Sequence, residues 1–397
     1  MKRVVIANFV PIWPAQTGGH RRVFFLAREL SNAFDVEVAV PDWHGLSRTT
    51  DFSPTLRETR VETEPELRRH VHQLERIGPL LADVGYGLHW QKAQRYQAVL
   101  TRLVEEADAV VTTHPYSIYA LEAARGERDI PLVFDSQNFE LEQKRELING
   151  DADVLKALYD LEAHALRISD KAFACSEVDR QNYIREYGVA PDHIALIENG
   201  VDARSTPVLS PSDRSKLRAE LGLNGLVTIF GGSYHVPNFS AVDPILEAAR
   251  EAPDVTFLML GTICDYQPLA EAELGNLRRL GRVSEKAKWM AFALADVGLN
   301  PMTQGSGTNI KMHDYAASAL AIASSEFGAR GVPLTAGIDY HQVEPGDLGP
   351  WLLEQAGRGD LQALREMGAK AREQILRHSD WSAIGKLYVE EFQALLA

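Results

Sequence analysis

At 397 residues, 45% hydrophobic and 24% charged, the chain has the composition of a soluble globular protein with room for two ordinary domains. Its net charge of −14 argues against a general nucleic-acid binder, and no apolar run approaches bilayer-spanning length. The two cysteines, Cys175 and Cys264, are too few for a metal cluster or a disulfide framework, and the expected location is the cytoplasm.

Met1-Lys2-Arg3-Val4-Val5-Ile6-Ala7 begins as signal peptides begin, but the apolar run breaks at Asn8, Pro11 and Pro14 and reads as a strand over Val4–Ala7. The loop Thr17-Gly18-Gly19-His20-Arg21-Arg22 follows, then a helix with Val23, Leu26, Ala27 and Leu30 spaced for burial, then a strand over Val36–Val40. This strand, glycine loop, helix and strand form the opening unit of a doubly wound sheet, whose ligands bind beyond the carboxyl ends of the strands. The Gly-x-Gly-x-x-Gly fingerprint is absent, which argues against NAD or FAD. Residues 64–107 read as mostly helical, with Tyr86, Trp90 and Tyr96 spaced as core aromatics; an acceptor or membrane-surface role is the lesser reading. Strands over Ala109–Thr113 and Leu132–Phe134 end at His114-Pro115-Tyr116 and Asp135-Ser136-Gln137-Asn138, which makes His114 a site candidate. A helix over 154–167, a strand over Lys171–Cys175 and a Ser176 cap come next, then a strand over Ile194–Ile197. Ala203–Ser215, with Pro207, Pro211 and four serines, reads as an interdomain linker.

The pattern then begins again. A strand over Val227–Phe230 leads through Gly231-Gly232-Ser233 to Pro237-Asn238 and a helix over 240–252. Strands over Val255–Leu260 and Leu277–Leu280 follow, the second ending at Gly281-Arg282-Val283, and then a helix over 286–295. Val297–Asn300 is a short strand stopped by Pro301, and Gly305 and Gly307 let the backbone turn tightly against a ligand. Ser306 or Thr308 is placed to cap a helix from Asn309 to about Ser318, before a strand over Leu320–Ser324. The first amides of such a helix suit phosphate, Lys311 adds a full positive charge, and Asp314 on nearly the same face can accept bonds from sugar hydroxyls. Phosphate with a diol beside it describes a nucleotide. The plainer reading is an ordinary strand–helix turn with a surface Lys–Asp pair. Helices near 360–377 and 383–396 close the chain.

Taken in order, these pieces resemble the glycosyltransferases of family 4 over nearly the whole chain. Thr17-Gly18-Gly19 before a basic helix is similar to the family's N-terminal loop. Phe134-Asp135-Ser136-Gln137-Asn138-Phe139-Glu140 resembles its Asp-x-His-Asn-x-Glu segment, with Gln137 where histidine is common. Ala174-Cys175-Ser176-Glu177 and Asn199-Gly200-Val201-Asp202 resemble its Ser-Glu and Asn-Gly-Val-Asp signatures. Gly232-Ser233 through Pro237-Asn238 is similar to its Gly-Ser to Pro-Asn loop, and Gly305-Ser306-Gly307-Thr308-Asn309-Ile310-Lys311 through Asp314 to its Gly-x-Gly-Thr-x-x-Lys-x-x-Glu donor site. Many members carry two glutamates at the positions of Ser306 and Asp314. The basic pair that many carry after the Gly-Ser loop is not matched there, and Arg282 and Lys311 are the candidates to replace it.

The resemblance implies an α/β protein of the GT-B fold, two doubly wound Rossmann-like domains facing across a cleft. Residues 1–203 would form the acceptor side, with a C-terminal helix over 383–397 packing back on it, and residues 204–382 would hold the nucleotide sugar. It implies an enzyme that moves a sugar from a nucleotide-sugar donor, with retention and with neither metal nor cofactor. The acceptor would be a glycan, a lipid-linked or a small molecule, in bacterial surface polysaccharide or glycoconjugate synthesis. Peripheral contact with the inner face of the membrane fits the same expectation. Gly18, Gly19, Gly232, Ser233, Gly305, Ser306, Gly307, Thr308 and Asn309 would line the donor, Asp314 would hold its ribose, and Gly281 and Val283 would bracket its base. His114, Lys311 and Arg282 are the expected catalytic groups. With Ser306 where a carboxylate could have stood, front-face substitution is expected over double displacement, and cleft closure would complete the site. The alternatives are a catalytically silent binding subunit and a GT-B nucleotide-sugar epimerase.

Overall fold

The structure is a computed structural model; it describes the chain apart from residues 16, 44, 76–80, 146–151 and 306–307 and the side chains of 73–75. The chain divides into two compact units, Met1–Asn199 with Ile384–Ala397, and Gly200–Ala383. The first holds strands β1 (Arg3–Ala7), β2 (Asp35–Asp42), β3 (Arg48–Ser53), β4 (Leu56–Glu62), β5 (Ala109–Thr112), β6 (Leu132–Asp135), β7 (Lys171–Ala174) and β8 (Ile194–Leu196), in the order β3-β4-β2-β1-β5-β6-β7-β8. The ladders are parallel except between β3 and β4. The chain builds outward from β1 on one side and from β5 on the other, so the switch point lies between them.

Why these residues make this sheet is plain for β1. Val4–Ala7 is buried throughout, as an apolar run covered on both faces of a parallel sheet should be. β4 follows a different logic, because its sequence, Leu-Arg-Glu-Thr-Arg-Val-Glu, is mostly charged. Glu58 is fully buried there, accepting from Ile12 N at 2.6 Å and pairing with Arg60 at 2.6 Å. The helices over 64–107 are Pro65–Glu75, Ala82–Leu88 and Gln94–Glu105. Tyr86 and Tyr96 are fully buried in the core they cover, so they are packing residues.

The second unit holds β9 (Val227–Gly231), β10 (Thr256–Leu260), β11 (Leu277–Gly281), β12 (Val297–Asn300), β13 (Ala321–Ser324) and β14 (His341–Gln342). Its order is β11-β10-β9-β12-β13-β14, all parallel, with the switch point between β9 and β12. Tyr315, on the helix Ile310–Ala317, locks these two strands: its hydroxyl accepts from Gly231 N at 2.9 Å, and its ring lies flat on Gly298. A β-carbon at Gly298 would come 2.5 Å from that ring, so only glycine admits it.

The expected linker over 203–215 is not one. It lies inside the second unit, and Pro211–Glu220 is a helix capped by Ser210. Arg214 and Arg218 on that helix clamp the buried Asp296 at 2.6 and 3.0 Å, so its charges face the sheet. The helix Leu348–Arg358 was also not anticipated. No described helix is long and apolar enough to cross a membrane.

Candidate functional site

At the second unit's switch point, the loops leaving β9 and β12 meet. After Pro301 the chain passes through Gly305 to the helix Ile310–Ala317. Gly305 sits at φ 131°, and a β-carbon there would lie 2.7 Å from Arg330 Nη2 and 3.3 Å from Pro237 Cβ. The backbone angle itself favours glycine, while the Arg330 guanidinium, the end of a flexible side chain, could shift to admit a larger residue. In the helix's first turn, Lys311 Nζ donates to Asn238 Oδ1 at 2.7 Å, contacts Met302 Sδ at 2.8 Å and stands 4.4 Å from the centre of the Phe230 ring. Burial, followed by the charge of Arg330, pushes its pKa down to about 7. Arg330 donates to Phe327 O at 3.0 Å and lies 4.2 Å over the Phe327 ring. The partners described for Lys311 are all neutral, and the Arg330 guanidinium is its neighbouring cation, an arrangement suited to an anionic ligand.

The helix start differs from expectation. Its cap position is Asn309, one residue beyond Thr308, and the Asn309 side chain makes no cap hydrogen bond. Asn309 Nδ2 instead donates to Asn300 Oδ1 at 3.1 Å, and Asn300 Nδ2 donates to Ser324 Oγ at 3.1 Å and Gly328 O at 2.8 Å. These bonds join the ends of β12 and β13 and draw the Asn309 side chain away from the helix N-terminus, whose first-turn amides suit an anionic ligand. Asp314 is buried, with its carboxylate 3.4 Å from Lys288 Nζ; the plain Lys311–Asp314 surface pair does not describe this geometry.

The remaining expected donor residues lie at varied distances from this centre. Gly232 uses its amide on Leu260 O at 2.9 Å and its carbonyl on Ile263 N at 3.1 Å, so it serves the sheet. Ser233 accepts from Asn238 Nδ2 through O at 3.0 Å and Oγ at 3.4 Å, and Asn238 carries that link on to Lys311. Thr308 lies against Gly331, where a β-carbon would be 2.9 Å from its Oγ1. Gly281 ends β11 and Arg282 and Val283 follow it, separated from β12 by β10 and β9, and Arg282 is exposed. The cation beside Lys311 is thus Arg330 and not Arg282. Ser306 and Gly307 fall outside the described residues.

The first unit gathers its own polar groups at its switch point. Thr17 caps the helix Gly18–Leu30, accepting from His20 N at 3.3 Å, and a β-carbon at Gly19 would lie 3.4 Å from Gln137 Oε1. Behind them Arg22 and Asp135, each 1% exposed, pair at 2.7 Å; Arg22 also donates to Ile197 O, and Tyr388 OH donates to Asp135 at 3.3 Å. This tie fixes the first helix, the ends of β6 and β8, and the C-terminal helix Trp381–Leu395 around one ion pair. His114, just after β5, meets Glu140 Oε1 through Nδ1 at 3.1 Å, while Tyr116 OH donates to Glu140 Oε2 at 2.6 Å. Against burial, which would raise it, the bond and charge of His114 and the charge of Lys144 hold the Glu140 carboxyl down to about 2. Burial, then the Glu140 charge, raises the neighbouring Glu162.

Sequence reasoning missed Arg330, Asn238 and Glu140 as site residues. The signal for Arg330 was the one that singled out His114: a polar residue just past the end of a buried strand, here β13.

With this geometry in hand, residues 17–205 match the model of Glycosyltransferase Family 4. A curated relative, the D-inositol 3-phosphate glycosyltransferase of Mycobacterium sp. (strain KMS), is 25% identical over 138 residues, 35% of this chain and 31% of its own. The matched segment thus spans about a third of that relative's length. Among solved structures, Anabaena HepE, crystallised with UDP and with UDP-glucose, superposes with TM-score 0.69 at 15% identity, over 99% of this chain and all of its own. Sucrose-phosphate synthase from Thermosynechococcus elongatus gives TM-score 0.73 at 15% identity over the same shares. Residues 17–205 are thus similar to Glycosyltransferase Family 4, and over its whole length the chain has the GT-B fold of these solved structures.

Proposed function

We propose that the chain transfers a glycosyl group from a nucleoside diphosphate sugar to an acceptor hydroxyl, with retention of configuration and without a metal ion. One observation carries this reading: Lys311 and Arg330 stand together at the start of the helix Ile310–Ala317, beside a loop whose Gly305 takes a backbone angle that favours glycine. When a sugar leaves a nucleoside diphosphate, negative charge grows on phosphate oxygen and positive charge on the anomeric carbon. The two cations and the first-turn amides are fixed donors suited to the first charge. They could also supply the charge stabilisation a metal would otherwise provide.

Asp314 would exchange Lys288 for ribose hydroxyls, and His114 is the catalytic candidate of the first unit, where it would meet a substrate sugar hydroxyl. Front-face substitution, in which the leaving phosphate oxygen helps to take the acceptor proton, fits a site whose charged groups beside the phosphate are cations. HepE's complexes with UDP and UDP-glucose make UDP the first nucleotide to try. Resemblance supplies the acceptor class: a glycan, a lipid-linked or a small molecule met in the cytoplasm or at the membrane's inner face.

The test is thermal stabilisation by UDP, GDP, ADP, dTDP and CDP, each with and without a chelator. A shift with one nucleotide that survives chelation is expected, followed by NMR of the product anomer from the matching sugar nucleotide. No shift with any of the five would remove the donor site, and an inverted anomer would remove retention.

A further inference from the structure

The first unit buries more charge than its fold requires. Asp83, Glu140, Glu162 and Lys144 lie within one cluster, where Lys144 meets Asp83 at 2.7 Å and Glu140 at 3.7 Å. Burying several ions together is costly compared with an apolar core of the same shape, so the arrangement asks for a use other than stability. Both carboxylate oxygens and the amide of Glu140 have partners. Oε1 faces His114 Nδ1 at 3.1 Å, and Oε2 accepts from Tyr116 OH at 2.6 Å. Its backbone amide donates to Glu162 Oε1 at 2.8 Å, and the next amide, of Leu141, to Glu162 Oε2 at 3.2 Å. Glu162 is held in turn by Tyr183 OH at 3.0 Å and Tyr187 OH at 2.7 Å. The Glu140 carboxylate has no freedom left to turn away.

We infer that Glu140 is a positioning residue that holds His114 as its Nδ1–H tautomer, leaving Nε2 as the acceptor for a substrate sugar hydroxyl. An ionised carboxylate can only accept, so the proton between the two groups belongs to Nδ1. The same carboxylate orients the ring, as outer partners do for histidines at metal sites. The His114 side chain is 18% exposed, and its described bond is through Nδ1, so its other edge is not closed off. A neutral acceptor nitrogen backed by a negative charge repels phosphate and suits a hydroxyl next to an anomeric carbon that gains positive charge. The charged and titratable groups around the ring are His20 from the first helix, Asp83, Glu140 and Lys144 from the helices behind it, and Tyr116 on its own loop.

The inference rests on the reading that His114 meets the substrate, and its test separates the two. Glu140→Gln keeps the shape and the acceptor for Tyr116 OH but presents an amide N–H to Nδ1, which moves the ring proton to Nε2. Nitrogen-15 NMR of the histidine side chains, with the His114 signal assigned by its loss in His114→Ala, should find the Nδ1–H form in the wild-type protein and the Nε2–H form in Glu140→Gln. Transfer in Glu140→Gln should fall about 100-fold, with nucleotide affinity changed by less than about twofold. An Nε2–H form in the wild-type protein overturns the inference whatever the variant's stability. So does a folded Glu140→Gln that keeps full turnover while His114→Ala has lost it. A fully active His114→Ala would instead sink the underlying reading.

Discussion

In the first unit Arg22 meets Asp135 at 2.7 Å with both side chains sealed from solvent, whereas in the second Lys311 meets an amide oxygen, a thioether and the face of a ring. The first arrangement is electrically complete: a carboxylate and backbone carbonyls surround the guanidinium. The second is incomplete, and the cost falls on Lys311, whose pKa drops to about 7. Matched buried charge fixes shape, because breaking it leaves an orphan ion. Unmatched charge weakens the empty protein and is repaid when an anion arrives. Removing a charge should therefore have opposite effects on stability in the two places.

The largest effect is expected at Arg22. Arg22→Met leaves Asp135 buried without its partner and should cost about 3–5 kcal/mol in denaturant unfolding, with Asp135→Leu added to it restoring much of the loss. An unchanged midpoint for Arg22→Met would dissolve the contrast. Lys311→Met should act the other way. A lysine whose folded pKa lies near 7, below its ordinary value of 10.5, destabilises the fold most at pH below 7, and the penalty fades as pH rises from 7 towards 10.5. The variant should therefore be more stable than the parent at pH 6 by about 1 kcal/mol or more, and nearly equal to it above pH 10. A loss of stability at pH 6 would mean that the ammonium is adequately partnered. In transfer, the same variant should lose about tenfold or more, the range for a lost transition-state donor.

The smallest effect is expected at Asp314. Asp314→Asn keeps an acceptor for the ribose but removes the charge facing Lys288, and should weaken nucleotide binding by about threefold. A larger loss would give the carboxylate a role beyond the ribose.

What the sequence made legible follows from which forces leave a pattern. Val4–Ala7 and Val297–Asn300 are apolar runs, and each stands at its unit's switch point, so the doubly wound fold could be read from two repeated strand–loop–helix starts. β4 could not be read this way, because its burial rests on ion pairs such as Glu58–Arg60, whose partners are known only once the chain is folded. The same holds for Arg330, which reaches the Gly305 loop from the end of β13 and replaces Arg282 as the cation beside Lys311. The shift of the helix cap from Thr308 to Asn309 has a similar cause: a tertiary bond to Asn300 outweighs local capping preference. His114 was visible as a polar residue past a strand end, but the carboxylate that orients it comes from 26 residues further along the chain.

The most direct test is calorimetric titration of UDP into the wild-type protein and Lys311→Met, in chelator, at pH 7 and pH 9. Free Lys311 titrates near 7 and an adjacent diphosphate must raise that value, so wild-type affinity should be greatest at the lower pH and decline as pH climbs. Lys311→Met should bind about tenfold more weakly at pH 7 and lose most of the pH dependence. Equal affinity in the two proteins, with the same slope against pH, would contradict the claim that Lys311 and Arg330 form the anion site of a nucleotide-sugar donor.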